Sequence, residues 1–309
     1  MDSQPIICFG QQPNGFFPKR FFYAKVRSAR NLQKEIGGKI VFFYHDSDAD
    51  YRETITIMND KTTGQEVRLN FTQENKIQKN FSPLYLKRIP TLSPALPHQD
   101  HPIPAKQKNG GPRSGGGGQG GGWKDDILKQ LPRFVGPDMI ELFTSVNATN
   151  DADFCLEMYK RLGLLDGIEV LRSSDKNFRQ TATDLSGEFY ADVAYENEIV
   201  RARVVPAPSD NSNLITSAKG GSASGGYNYL AQLHHGGGKT TQFEIPGPIQ
   251  KSLRTPGRDE RFAWMNSVIH STHYITGNSE FDYLKREEFP RVKFIKREQI
   301  EEPELAWFP

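Results

Sequence analysis

The chain predicts an α/β protein of Rossmann-like type: a mostly parallel sheet with flanking helices and a small β-hairpin. Three observations carry that prediction. Pro5-Ile-Ile-Cys-Phe9 and Lys39-Ile-Val-Phe-Phe-Tyr44 are short apolar runs without alternation, as expected of strands buried on both faces. Between them Phe22, Val26, Ala29, Leu32 and Ile36 recur at helical spacing and mark a core-facing helix. Polar loops follow the strand candidates at Gly10–Gly15, at His45–Asp50 and at Thr276–Ser279. Open α/β sheets bind ligands at the carboxyl ends of their strands, so the three loops are expected around one cleft.

Length and charge bound the function. At 309 residues the chain suits one elaborated domain or two smaller ones. Its 39 basic and 37 acidic residues are interspersed and leave a net charge of +2, so nothing in the balance calls for nucleic acid or a membrane surface. Cys8 and Cys155 lie in apolar contexts and read as buried, reduced thiols. No apolar run approaches the roughly 20 residues of a membrane span. The opening Met-Asp-Ser-Gln lacks the pattern of a signal peptide, so a cytoplasmic protein is expected.

Residues 1–81 read as the N-terminal half of the core. The first helix is expected from near Phe17, with Pro18 in its first turn and Gly37-Gly38 at its end. Lys19, Arg20 and Lys25 fall off its apolar face. They read either as cations beside an anionic ligand at the helix amino end, where backbone N–H groups point outward, or as a solvated basic face. The alternating runs Thr54–Met58 and Glu66–Phe71 form a hairpin. Residues 82–122 are a Pro/Gly-rich linker ending in a glycine run, either natural low complexity or an inserted tether.

Residues 123–309 supply the remainder of the α/β core with loop insertions. Helices are expected at Trp123–Leu131 and Asp151–Leu162, the second capped by Asn150 or Asp151. Strands are expected at Gly167–Leu171, Glu198–Val205, Ser267–Ile275 and Arg291–Ile295. A helix from Glu280 would be capped by Ser279 with Asp282 three residues on. Residues 206–226, rich in Ser, Asn, Gly and Pro, carry no structural prediction.

The candidate chemistry sits in the loops. Gly10, Gln11, Gln12 and Asn14 offer side-chain amides and a close backbone approach, as a ligand loop or as a plain turn; the dinucleotide fingerprint G-x-G-x-x-G is missing. His45, Asp46, Asp48, Asp50 and Glu53 could hold a divalent cation, supply a general base, or form a solvated turn. An EF-hand is excluded, because Tyr51 stands where that loop needs glycine and Ile57 where it needs its bidentate glutamate. Gly236-Gly-Gly-Lys-Thr240 matches the end of a phosphate loop, yet Leu233 replaces its first glycine, so a glycine-rich turn is expected. Either His270 or His273 is expected in the cleft as a proton carrier, and no residue set is assigned to a metal cage.

Three segments also carry a resemblance. Gly10-Gln-Gln before an aromatic-rich helix with Lys25, Ser47-Asp48-Ala49-Asp50-Tyr51-Arg52-Glu53, and Tyr274-Ile-Thr-Gly277-Asn-Ser-Glu280-Phe-Asp-Tyr283 resemble, in order, T-G-Q-Q-x-G-L-F, E-D-H-D-F-x-E and Y-V-x-G-P-x-E-x-x-Y. Those motifs belong to the bacillithiol-biosynthesis cysteine-adding enzyme family. Ala49 replaces the family's histidine, Phe9 its threonine, and Asn278 falls in the Gly/Pro region of the late motif. The family's coiled-coil arm has no heptad counterpart. The resemblance implies a Rossmann-like ligase or nucleotidyltransferase-type enzyme that joins carbon to nitrogen and binds a nucleotide or small polar substrate. ATP or another nucleotide, with or without Mg²⁺, is the cofactor that it implies. Taken with the residues' own chemistry, Gly10, Gln11, Gln12, Asn14, Lys19, Lys25, Gly277 and Glu280 bind the ligand, Asp48, Asp50 and Glu53 do the chemistry, and His273 carries a proton without a counterpart in the family. The alternative is a non-catalytic ligand-binding or scaffold protein on the same fold.

Overall fold

The computed structural model describes residues 4–47, 54–60, 62–69, 122–148, 150–185, 187–196, 198–206, 227–234, 240–246 and 248–309. The linker 82–122 therefore lies outside the described residues, save Gly122. In chain order the first elements are β1 (Ile6–Gln11), α1 (Arg20–Ile36), β2 (Lys39–Tyr44), β3 (Thr56–Asn59), β4 (Glu66–Leu69), α2 (Gly122–Leu128), α3 (Pro137–Ser145), α4 (Asp151–Arg161) and β5 (Glu169–Arg172). There follow α5 (Lys176–Thr181), β6 (Phe189–Tyr195), β7 (Glu198–Pro206), β8 (Tyr227–His234), β9 (Thr240–Pro246) and β10 (Thr255–Pro256). The chain closes with α6 (Arg261–Ile269), β11 (His273–Thr276), α7 (Asn278–Tyr283) and β12 (Lys293–Lys296).

Five strands form a parallel sheet in the order β12-β11-β1-β2-β5. Numbered by appearance within the sheet, these are strands 5-4-1-2-3, a doubly wound order that reverses between β1 and β11. The unalternating runs now have their explanation. Ile7, Phe9, Ile40, Phe42 and Tyr44 enter one apolar cluster, with Phe22 and Val26 of α1 and Phe154 and Met158 of α4. Cys8, Val41 and Phe43 enter a second on the opposite face, with Phe178 of α5 and Phe262, Trp264 and Met265 of α6. Burying each such side chain contributes roughly 1.5–3 kcal/mol. Gly38, at φ 93°, turns the end of α1 into β2; a Cβ there would collide with the Pro5 carbonyl.

A second five-stranded sheet, β10-β6-β7-β8-β9, is antiparallel. Its Ala191, Val193, Ala202, Val204 and Ala231 pack into the second cluster. Of its strands, β7 was expected from sequence. The hairpin β3–β4 is present, with Met58 opposite Val67. Arg179 of α5 ties the two sheets. Fully buried, it donates to the carbonyls of Ser173, Ser252 and Arg254 and to Thr255 Oγ1.

Three predicted elements shift. The helix expected from Phe17 starts at Arg20, because the segment 302–308 crosses its amino end: Arg20 N–H donates to the Leu305 carbonyl (2.8 Å) and Phe21 N–H to that of Pro303 (3.0 Å). Ile36, predicted in the core, is 38% exposed at the last residue of α1. The run Ser267–Ile275 is not one strand. Helix α6 continues to Ile269, His270 closes it in the left-handed region (φ 54°), and Asn266 Oδ1 accepts Ser271 N–H before β11 begins. Packing of Phe262, Trp264 and Met265 overrides the β-branched Val268-Ile269. The late helix opens at Asn278 rather than Glu280. Its cap is Gly277, whose N–H donates to Glu280 Oε2 (3.1 Å), so Ser279 and Asp282 are interior.

Candidate functional site

At the switch point Phe9 of β1 lies beside Ile275 of β11, and the loops beyond them part. A cavity of about 570 Å³ opens there, a size suited to a small molecule or nucleotide. Gly10, Gln11 and Gln12 form one wall, Gly277, Asn278, Ser279 and Glu280 another. Four cations (Lys19, Lys25, Arg261, Arg297) and two carboxylates (Glu280, Glu304) line it, leaving two positive charges in excess.

Gly10 is required by close approach. A Cβ on it would come within 2.8 Å of His45 Nε2 and 2.9 Å of the Tyr274 hydroxyl. Gly10→Ala is therefore expected to cost roughly 1–3 kcal/mol of stability by overpacking and to push the His45 ring out of place. Chemical denaturation beside a ligand titration checks this; an unchanged unfolding midpoint together with unchanged ligand affinity would refute it.

Lys25 and Glu280 hold the two loops together. The Lys25 ammonium donates to the Gly10 carbonyl (2.8 Å), to Glu280 Oε2 (2.9 Å) and to Gln11 Oε1 (3.5 Å). Glu280 Oε1 accepts the Tyr274 hydroxyl (2.8 Å). Both predicted ligand residues thus line the cavity while bonded to each other across the switch point. His45 follows β2, and its imidazole forms part of the cavity wall. Burial, reinforced by the charges of Arg261 and Lys25, holds its pKa well below the usual histidine range, so it is a neutral base at pH 7. Asp46, next along, is locked: Arg172 Nε (2.5 Å), Ser173 Oγ (3.1 Å), and the N–H (2.8 Å) and Oγ (2.5 Å) of Ser174 all donate to it.

Of the predicted binding residues, Gly10, Gln11, Gln12, Lys19, Lys25, Gly277 and Glu280 line the cavity. Asn14 does not. It is fully buried, its N–H donates to the Tyr159 hydroxyl, and that hydroxyl donates to Asn14 Oδ1. The amino end of α1 offers no open N–H at Arg20 or Phe21, since the segment 302–308 takes both. His273 and His270 are placed away from the cavity. His273 begins β11, level with Ile7, at the amino-end rim, with Thr272 Oγ1 3.0 Å from its Nδ1. His270 is the exposed cap of α6. Asp48, Asp50 and Glu53 lie outside the described residues, as does Gly236–Lys239.

Sequence reasoning passed over Arg261, Arg297 and the segment that brings Pro303 and Glu304 to the wall. Arg297 had a readable signal: it stands just beyond the carboxyl end of β12, on the same rim as the other junctions. Arg261 opens a helix that the sequence concealed. Both cysteines are free and buried, and burial pushes both thiols far up, so neither is a ready nucleophile. Among the described residues, no three His, Cys, Asp or Glu side chains gather as a metal cage. No helix among them is long and apolar enough to cross a membrane.

Fold and cavity together define a Rossmann-type α/β protein with a cationic pocket at its topological switch point. No family model and no curated protein matches the chain.

Proposed function

We propose that this chain is a Rossmann-like enzyme of the ligase or nucleotidyltransferase type, similar to the cysteine-adding enzymes of thiol biosynthesis, acting on a nucleotide or small polar substrate. One observation carries the reading: the cavity lies at the switch point and its wall has four cations against two carboxylates. In the proposed mechanism Gly10 makes room for the His45 ring and the Tyr274 hydroxyl behind the wall, and the Gln11 and Gln12 amides orient the ligand's polar groups. Arg261 and Arg297 face its charge. Neutral His45 takes the proton from an amine nucleophile as that amine bonds to an activated centre held in line; the bond from that centre to its activating group breaks, and the group leaves with the electron pair. A divalent ion would enter on the nucleotide's phosphates, the usual arrangement for Mg²⁺. Free, buried cysteines fit a reducing cytoplasmic setting.

A second reading, a non-catalytic ligand-binding protein, has its own support in the mutual bonding of Lys25 and Glu280, which leaves neither with an idle proton-transfer role. Thermal unfolding with millimolar ATP, ADP or inorganic phosphate, each with and without Mg²⁺, tests the binding. A nucleotide at a hundredfold excess over Kd should stabilise the fold by about 2.7 kcal/mol. No shift with any nucleotide would remove the nucleotide reading. Nucleotide turnover in the presence of amine substrates, abolished by His45→Gln with binding retained, would separate enzyme from binding protein.

A further inference from the structure

We infer that Lys19 and Arg297 form an oxyanion subsite, in which Glu304 holds the place that a phosphate or carboxylate group of the ligand takes. The inference deepens the proposed function, since it uses the same cavity. Lys19 is built into the wall: its side chain is 7% exposed, and its ammonium lies 2.9 Å from Glu304 Oε2. Glu304 is not built in, for its side chain is 60% exposed. A desolvated cation is thus matched by a carboxylate that reaches in from solvent.

Arg297 is the second half of the subsite. It is 8% exposed, lines the same cavity, and donates from Nη1 to the Glu298 carbonyl (2.9 Å). Among the described residues its buried Nε–H has no acceptor. A buried guanidinium with donors unspent is costly, and its planar fork matches the paired oxygens of a phosphate or carboxylate. Burial lowers the Arg297 pKa, and the charges of Glu304 and Glu298 oppose that lowering. Glu304 is therefore felt at both cations. Because the segment 302–308 already consumes the Arg20 and Phe21 N–H groups, recognition here falls to side chains rather than to a helix end.

The exchange requires little movement. The backbone bonds of the segment (Arg20 N–H to Leu305, Trp307 N–H to the Pro18 carbonyl at 2.7 Å) and the stacking of Trp307 on Tyr23 stay in place while the exposed Glu304 side chain turns outward. A phosphate dianion then offers two cations more charge than one carboxylate does.

The test is calorimetric titration of the full chain with inorganic phosphate and with malonate, at fixed ionic strength so that screening is constant. Glu304→Gln removes the competing carboxylate and should tighten binding of the preferred anion about tenfold. Arg297→Gln should weaken it at least about tenfold, with Arg297→Lys intermediate because charge survives and the fork does not. Circular dichroism checks the fold, and Lys19→Met repeats the test where Arg297→Gln fails to fold. Whether phosphate or malonate responds identifies the group. Unchanged affinity for both anions in Glu304→Gln, or undiminished affinity in the folded cation variants, overturns the subsite. If nucleotides bind but Glu304→Gln changes nothing, the subsite falls and the nucleotide reading stands. If anion affinity follows the variants but no nucleotide binds, the reverse holds.

Discussion

Arg179→Met will lower the stability of the fold by about 4 kcal/mol. The Arg179 guanidinium donates across the junction between the two sheets. Nε serves the Ser173 carbonyl (2.6 Å), Nη1 the carbonyls of Ser252 (3.0 Å) and Arg254 (2.6 Å), and Nη2 the Thr255 hydroxyl (3.0 Å). Those acceptors belong to two chain segments: the loop after β5, and the stretch 252–255 that runs into β10. The guanidinium also lies over the Trp264 ring at 5.5 Å. Methionine keeps the aliphatic stem and removes every donor, so buried oxygens on both sides of the junction lose their partner together. The loss should appear as a fall of about 10 °C in Tm, and as an earlier urea midpoint followed by far-UV circular dichroism. Arg179→Lys, which keeps the charge but not the fork, should fall between. An unchanged midpoint in the methionine variant would mean that the antiparallel sheet holds its place without this link.

The parallel half of the fold was legible because it is apolar on both sides. Ile7-Cys8-Phe9 and Ile40–Tyr44 must be central strands, since both faces need cover, and the two clusters provide it. The antiparallel sheet was harder. In Phe189-Tyr-Ala-Asp-Val193 the alternation is present, with Phe189, Ala191 and Val193 buried, yet Ala191 is too small to announce a core position. The cavity was legible at Gly10–Gln12 and at Gly277, where polar loops follow strands. Its electrostatics were not. A lysine off the apolar face of a helix reads as solvated, and the carboxylate that balances the buried Lys25 is Glu280, 255 residues later. Asn14 shares the composition of a ligand loop, but Tyr159, 145 residues away, turns it inward. In each case the deciding partner is remote in sequence, where local pattern carries no information.

Asp151→Asn should stabilise the fold, and only above mildly acidic pH. Asp151 is the first residue of α4, fully buried, and neither carboxylate oxygen accepts a hydrogen bond from any of the described residues. Burial pushes its pKa up to about 7 from an ordinary 3.8. The folded state then holds a proton that the unfolded chain gives up, so stability falls as pH rises from about 4 to about 7 and stays low above that. Integrated over that window, the cost approaches about 4 kcal/mol, an upper figure because a residual helix-end field favours the ionised form. Asparagine keeps the shape and cannot ionise. Comparing the two proteins isolates Asp151 from His45, whose lowered pKa gives the opposite slope, with stability lost as pH falls below about 6.5. The two chains should unfold at similar temperatures near pH 4, with the variant gaining through neutrality until the gap is widest near pH 8. A gap that stays constant across the range would show that Asp151 is already ionised in the folded chain, and that its orphaned oxygens find a partner on ionisation.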